Sequence, residues 1–154
     1  MPSGNNSKAR NGVFISYARR DGEAFADVLL TRLEALGVEA WQDRARMEDG
    51  RDWWLQITEA LDRVEFMALV VTPGALRSEI VRREWRYARQ QGVCVYTIKG
   101  TPDLDFNTLP RWIRSADFYD IGTVANDFTG PEWQNFVNDI NTGISIRTFP
   151  PRPS

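Results

Sequence analysis

Phe66-Met67-Ala68-Leu69-Val70-Val71 is an unbroken apolar run, and Thr72-Pro73-Gly74 then leads into Ser78-Glu79-Ile80-Val81-Arg82-Arg83-Glu84-Trp85-Arg86-Tyr87-Ala88. A short apolar run bounded by turn residues reads as a strand covered on both faces. Pro73-Gly74 turns the chain into a helix, for which Ser78 is a favoured cap or else a ligand contact. A further apolar run, Val93-Cys94-Val95-Tyr96-Thr97-Ile98, supplies the next strand.

The same alternation extends in both directions. Val13-Phe14-Ile15-Ser16-Tyr17 is a short buried strand, followed by a helix that Asp21 can cap. In that helix Phe25, Val28, Leu29, Leu33 and Leu36 recur at helical spacing until Gly37 ends it. Val38-Glu39-Ala40-Trp41 is a second strand, and a polar loop from Gln42 to Arg51 leads to a helix marked by Trp54, Ile57 and Leu61. Phe118–Ile121 is a weaker fifth strand, and Trp133, Phe136, Val137 and Ile140 mark a terminal helix over Pro131–Ile140. Strands alternating with helices predict an α/β, flavodoxin-like three-layer fold, with a central five-stranded parallel sheet and helices on both faces. Residues 1–11 read as a disordered lead-in and 12–143 as the folded domain. Residues 144–154, ending Phe149-Pro150-Pro151-Arg152-Pro153-Ser154, read as a proline-rich linker to a further domain.

Composition narrows the chemistry. A chain of 154 residues, 42% hydrophobic and 26% charged, suits one globular domain with a real core. A net charge of -2 argues against a dedicated nucleic-acid binder. The arginines of 82–89 are a solvated face or a local contact for an acidic partner. With no histidine and a single cysteine, the Ser-His-Asp triad, the Cys-His dyad and any His/Cys zinc site fall away. Cys94 reads as a buried structural thiol. The absence of a disulfide framework fits a reducing compartment. No apolar run reaches transmembrane length, and the polar start lacks a signal-peptide core, which predicts a cytoplasmic protein.

Glu84 is the anomaly. At about 100° per residue it falls among Ile80, Val81, Tyr87 and Ala88, while Arg82, Arg83, Arg86 and Arg89 fall on the opposite side. A carboxylate on an apolar face must shift its pKa, find a charge from another element or line a cleft. In parallel sheets ligands collect at the carboxyl ends of the strands. The loop after Ser16-Tyr17, the loop after Trp41 and the start of the Glu84 helix all leave such ends. That convergence sets Glu84 near Tyr17, Arg19, Arg20 and the 42–54 segment.

These residues resemble the Toll/interleukin-1 receptor (TIR) domain family, bacterial NAD-cleaving members above all, over about residues 12–121 and the last helix. Phe14-Ile15-Ser16-Tyr17 with Arg19-Arg20-Asp21 is similar to the family's first box, and Asp43–Arg51 occupies its BB loop. Thr72-Pro73-Gly74-Ala75-Leu76, Ser78 and Glu84-Trp85 resemble the segment leading to the catalytic glutamate. Two positions depart from the pattern: Ile80 and Val81 replace a common tryptophan and cysteine, and Gly50-Arg51 replaces the proline–glycine end of receptor-type BB loops.

The resemblance implies a glycohydrolase that splits NAD at the nicotinamide–ribose bond, with NAD as substrate and no cofactor. It implies activation by self-association through the BB loop, a C-terminal sensor domain and a role in bacterial immune defence. It sets Glu84 at the catalytic position. Ser16, Tyr17, Arg19, Arg20, Asp43, Trp53 and Ser78 are the candidate substrate contacts, Trp53 by stacking on a flat ring. Trp54 fits the Ile57/Leu61 stripe and reads as core. The alternative is a non-catalytic TIR module that binds other TIR domains. No GxGxxG or GxxxxGK loop is present, which disfavours hydride transfer.

Overall fold

The computed structural model describes residues 12–42, 53–102, 104–114, 118–121 and 131–145. The lead-in 1–11, the whole BB loop Asp43–Arg51 and the tail beyond 145 lie outside the described residues. The strands are β1 (Val13–Ser16), β2 (Ala40–Gln42), β3 (Phe66–Val71), β4 (Cys94–Lys99) and β5 (Phe118–Tyr119). The helices are α1 (Arg19–Ala35), α2 (Trp53–Arg63), α3 (Pro73–Arg77), α4 (Glu79–Gln90), α5 (Arg111–Arg114) and α6 (Pro131–Ser145). A 3-10 turn spans Phe106–Thr108.

The strands form one parallel sheet in the order β2-β1-β3-β4-β5. This is the doubly wound order whose switch point lies between β1 and β3. Side chains of a strand alternate between faces, and the two cores follow that alternation. Val13 and Ile15 of β1 join Phe66, Ala68 and Val70 of β3 beneath α1 (Phe25, Leu29, Leu33) and α6 (Trp133, Phe136, Ile140). Phe14 and Met67 face the other way onto Ile57 and Leu61 of α2 and Ala88 of α4. Leu69 and Val71 continue that face towards Ala75, Val81, Leu109 and Ile113. All six residues of β3 are buried, as an unbroken apolar run requires of a strand covered twice.

Aromatic packing fastens the last helix. The Phe136 ring lies 5.2 Å from Tyr119, 5.8 Å from Trp133 and 6.1 Å from Tyr96. The Tyr119 hydroxyl also donates to Asp139 of α6. β5 has only two residues, shorter than the expected Phe118–Ile121, because the Asp120 amide donates to Glu132 Oε1 of α6 at 2.8 Å, yet Ile121 remains in the core.

Several boundaries differ from the sequence reading, each for a local reason. Helix α1 starts at Arg19, with Ala18 at the N-cap and no side-chain cap. Asp21 does not cap it, because its carboxylate is used elsewhere. Strand β2 begins at Ala40 rather than Val38, because the Val38 amide closes the turn after α1 by donating to the Leu33 carbonyl at 3.0 Å. The expected turn at Pro73-Gly74 is the short helix α3, N-capped by Thr72 with proline in its first turn. Cys94 is half-buried and packs against the α1/α6 core. Among the described residues no helix is long and apolar enough to cross a membrane.

Gly12 locks the start of β1. Its carbonyl accepts from the amides of Glu65 at 2.9 Å and Phe66 at 3.2 Å, and its φ is 93°. A Cβ there would lie 2.6 Å from the Trp41 ring and 2.8 Å from the Glu39 carbonyl, whereas one at Gly37, φ 84°, would meet nothing within 4 Å. Both Gly→Ala changes should destabilise by about 1–2 kcal/mol for the left-handed backbone alone. Gly12→Ala should lose clearly more, because overpacking adds to it. Urea unfolding of the two variants measures the difference, and equal losses would remove the close approach as a constraint.

Candidate active site

Alternation along β1 puts Ser16 on the face of Phe14, towards α2 and α4, at the strand's carboxyl end. It pairs there with Leu69 of β3. Helix α4 buries Val81, Glu84 and Ala88 along one side, which confirms the inward position of Glu84. The Ser16 hydroxyl donates to Glu84 Oε1 at 2.6 Å, and both residues are 0% exposed. That distance is typical of a hydroxyl donating to a carboxylate. A buried carboxylate is tolerated only with such donors, so the last residue of β1 helps make the position of Glu84 possible.

The neighbouring elements fix the angle of α4. Ser78 Oγ accepts from the Val81 amide at 3.1 Å and caps the helix. The Tyr87 hydroxyl donates to Asp62 of α2 at 2.9 Å, and the Tyr87 ring meets Trp54 edge-on at 6.1 Å. Trp54 packs against the α2/α4 core, as its place in the stripe suggests. The outward arginines are used locally. Arg83 lies 4.2 Å above Trp54, Arg89 lies 4.5 Å above Trp112, and Arg82 pairs with Glu79 at 3.2 Å.

A second cluster joins α1 to the start of α3. Asp21 Oδ1 accepts from the Thr72 hydroxyl at 2.7 Å, and Oδ2 accepts from the Gly74 amide at 2.8 Å. Thr72 Oγ1 in turn accepts from the Ala75 amide at 3.1 Å. Gly74 is required here, since a Cβ would stand 2.4 Å from Asp21 Oδ1. This clasp holds one wall of a bay of about 330 Å³ lined by Ala18, Arg19, Arg20, Gly74, Arg77 and Ser78. A smaller apolar cleft of about 80 Å³ lies on the α4 side, among Leu69, Val71, Val81, Trp85 and Ile113.

The sequence candidates divide accordingly. Ser16 and Glu84 are in contact, while Arg19, Arg20 and Ser78 share the bay. Tyr17 is wholly buried and belongs to the α1/α6 core. Trp53 opens α2, its side chain lying outside the described residues, as does all of Asp43. Sequence reasoning missed Asp21 as a clasp, Thr72 and Arg77. A signal existed for the last two: Thr72-Pro73 is a cap followed by a helix-starting proline, which would have set Arg77 one helical turn further on.

A profile of the TIR domain family matches residues 13–127. The chain belongs to that family. Among solved structures it resembles the TIR domain of the Toll-related receptor TRR-2 from Hydra magnipapillata, at 19% identity and a TM-score of 0.62, covering 85% of this chain and 98% of that one. It also resembles a metazoan TIR-STING receptor from C. gigas in complex with 2',3'-cGAMP, at 18% identity and a TM-score of 0.65, covering 89% of this chain and 41% of the receptor. The TIR domains of the activated Roq1 resistosome, which directly recognises the pathogen effector XopQ, match at 15% identity and a TM-score of 0.51, over 89% of this chain and 74% of that one. A comparison with curated proteins finds no match.

The clasp should behave as one unit. Asp21→Ala and Thr72→Val should each destabilise by about 1–3 kcal/mol, since each strands a polar partner. The double variant should lose less than the sum of the two, with a coupling of at least about 0.5 kcal/mol. Additive losses in a double-mutant cycle by chemical denaturation would show that the two side chains act separately.

Proposed function

We propose that this TIR domain is an NAD glycohydrolase in which Glu84 stabilises the ribosyl cation formed as nicotinamide leaves. The observation that carries this reading is the Ser16–Glu84 pair, a fully buried carboxylate held at a sheet's carboxyl edge near an arginine-lined bay. Most glycosidases need a second carboxylic acid to protonate the leaving oxygen. NAD needs none, because its nicotinamide is a pyridinium cation that departs neutral, taking the electron pair of the broken C–N bond. The positive charge passes to the ribose as an oxocarbenium ion. A carboxylate in a dry site offsets that charge far more strongly than one in water. Addition of water then gives ADP-ribose and a proton, while capture by the adenine ring gives a cyclic isomer.

Other side chains have supporting roles. Ser16 positions the Glu84 carboxylate, and Arg19 and Arg20 hold the diphosphate with Ser78 beside them. Asp43 and Trp53, from the segment after β2, complete the nicotinamide end. The complete burial of Glu84 supports a closed resting state, in which TIR–TIR association through the BB loop opens the carboxylate to substrate. The family resemblance supports a bacterial defence setting in the cytoplasm and a sensor domain beyond the proline-rich tail.

A second reading, an interaction module without catalysis, is favoured by the receptor and resistosome structures that share the fold. Nicotinamide release from NAD at high protein concentration separates the two readings. Glu84→Gln should reduce release at least about a hundredfold, in keeping with loss of a charge-stabilising group. Equal release from wild type and variant removes Glu84 from the chemistry. Absence of turnover, with association lost in Arg46→Glu, establishes the interaction module instead.

A further inference from the structure

Glu84 lies between two flanks of α4 that are held by different elements. At about 100° per residue, Tyr87 falls about 60° and Arg83 about 100° to one side of it, while Ala88, Val81 and Trp85 fall about 40°, 60° and 100° to the other. The second flank is anchored in the core. Val81 and Ala88 are buried, and the Trp85 ring lies 4.6 Å from Trp112 of α5. The first flank meets α2, where Trp54 touches both of its residues. The Arg83 guanidinium lies 4.2 Å above the Trp54 ring, and the Tyr87 ring meets it edge-on at 6.1 Å. The Tyr87 hydroxyl adds a bond to Asp62, further along α2, at 2.9 Å.

The α2 grip contributes little to the core but has leverage on the carboxylate. Arg83 and Asp62 are exposed and Trp54 is half-buried, and a cation above a ring at the surface is a weak contact. A helix with its side chains is about 10–12 Å across, so a carboxylate near its rim moves about 1 Å for every ~10° that the helix turns. The Ser16 hydroxyl meets Glu84 Oε1 at 2.6 Å, a bond that such a movement breaks. A misplacement of about 1 Å at a reacting centre is enough to cost about a hundredfold in rate. The first turn of α2 also begins with Trp53. One turn of helix thus carries the proposed contact for the nicotinamide end and the ring that holds α4.

We infer that Trp54 is a positioning residue for Glu84, acting through Arg83 and Tyr87, and not only a core aromatic; the inference rests on the glycohydrolase reading. Carboxylate labelling tests it separately from turnover. Glu65, 2% exposed beside the amino end of β3, is an internal control for Glu84, which is 0% exposed. With a water-soluble carbodiimide and glycine ethyl ester, read by peptide mass spectrometry, both should be protected in the dilute wild-type protein. Trp54→Ala should label Glu84 at least about fivefold faster, the scale of one lost aromatic contact, and leave Glu65 unchanged. In turnover, Trp54→Ala should lower kcat at least about tenfold. Its KM for NAD should change less than about threefold, because Arg19, Arg20 and Ser78 are untouched. Trp54→Phe, which keeps an aromatic face for Arg83, should restore most of kcat. Arg83→Gln, at an exposed position, should give the same labelling and kcat signatures more weakly with the urea midpoint unchanged. The double variant should lose no more kcat than Trp54→Ala alone. Labelling of Glu65 in step with Glu84, a change confined to KM, or no recovery in Trp54→Phe overturns the assignment. If the wild type releases no nicotinamide while the selective labelling of Glu84 is present, the glycohydrolase reading fails and the positioning of Glu84 by Trp54 stands.

Discussion

A parallel strand covered on both faces has no place for a polar side chain except near its ends, and this molecule is organised by that restriction. β3 admits only apolar residues along its length, and its first polar group is Thr72, directly after the last strand residue. In β1 the last residue is a serine, turned to the helix side. Both polar groups therefore emerge at the same edge, one on each side of the switch point. Ser16 bonds a carboxylate from α4, and Thr72 bonds one from α1. Among the described residues, buried Ser16, Thr72 and Glu84 gather at this rim, while buried Glu65 lies at the opposite end of β3 and Thr97 within β4.

The two carboxylates on that rim have opposite circumstances. Glu84 is fully buried, with a hydroxyl donating to it at 2.6 Å. Asp21 lies towards solvent and spends its two oxygens on a hydroxyl and a backbone amide, which joins two helices. Burial raises the energetic consequence of a charge, so the first is suited to chemistry and the second to architecture. Sequence proximity to the arginines would have suggested the reverse, because Asp21 directly follows Arg19 and Arg20.

The fold was legible because apolar runs and helical stripes each have one stable solution. β3, the α1 stripe as far as Leu33 and the Trp133–Ile140 face appear as the residues dictate, whereas Leu36 is the cap of α1 and half-exposed. The inward position of Glu84 followed from helical period alone. Partners across the chain were harder to read: nothing local to Ser16 indicates that its hydroxyl meets residue 84, and nothing local to Asp21 distinguishes a cap from a clasp. Tyr17 shows the same limit. One step in strand alternation separates it from Ser16, and that step sends it to the opposite core. The boundary of α3 was missed because Pro73-Gly74 satisfies a turn and a short helix equally well.

The strand order has a consequence for how the chain is made. β1 is an interior strand, but of its two neighbours only β2 follows it closely in the chain, and the other begins at Phe66. During synthesis from the amino end, β1 and β2 emerge with one edge of β1 still unpaired until β3 has been translated. An open strand edge, with its unpaired backbone groups, is a template for pairing with another chain, and parallel pairing between distant segments forms slowly. The nascent protein thus has an interval of vulnerability to aggregation that its finished form does not reveal, closed by the arrival of the Phe66–Val71 segment.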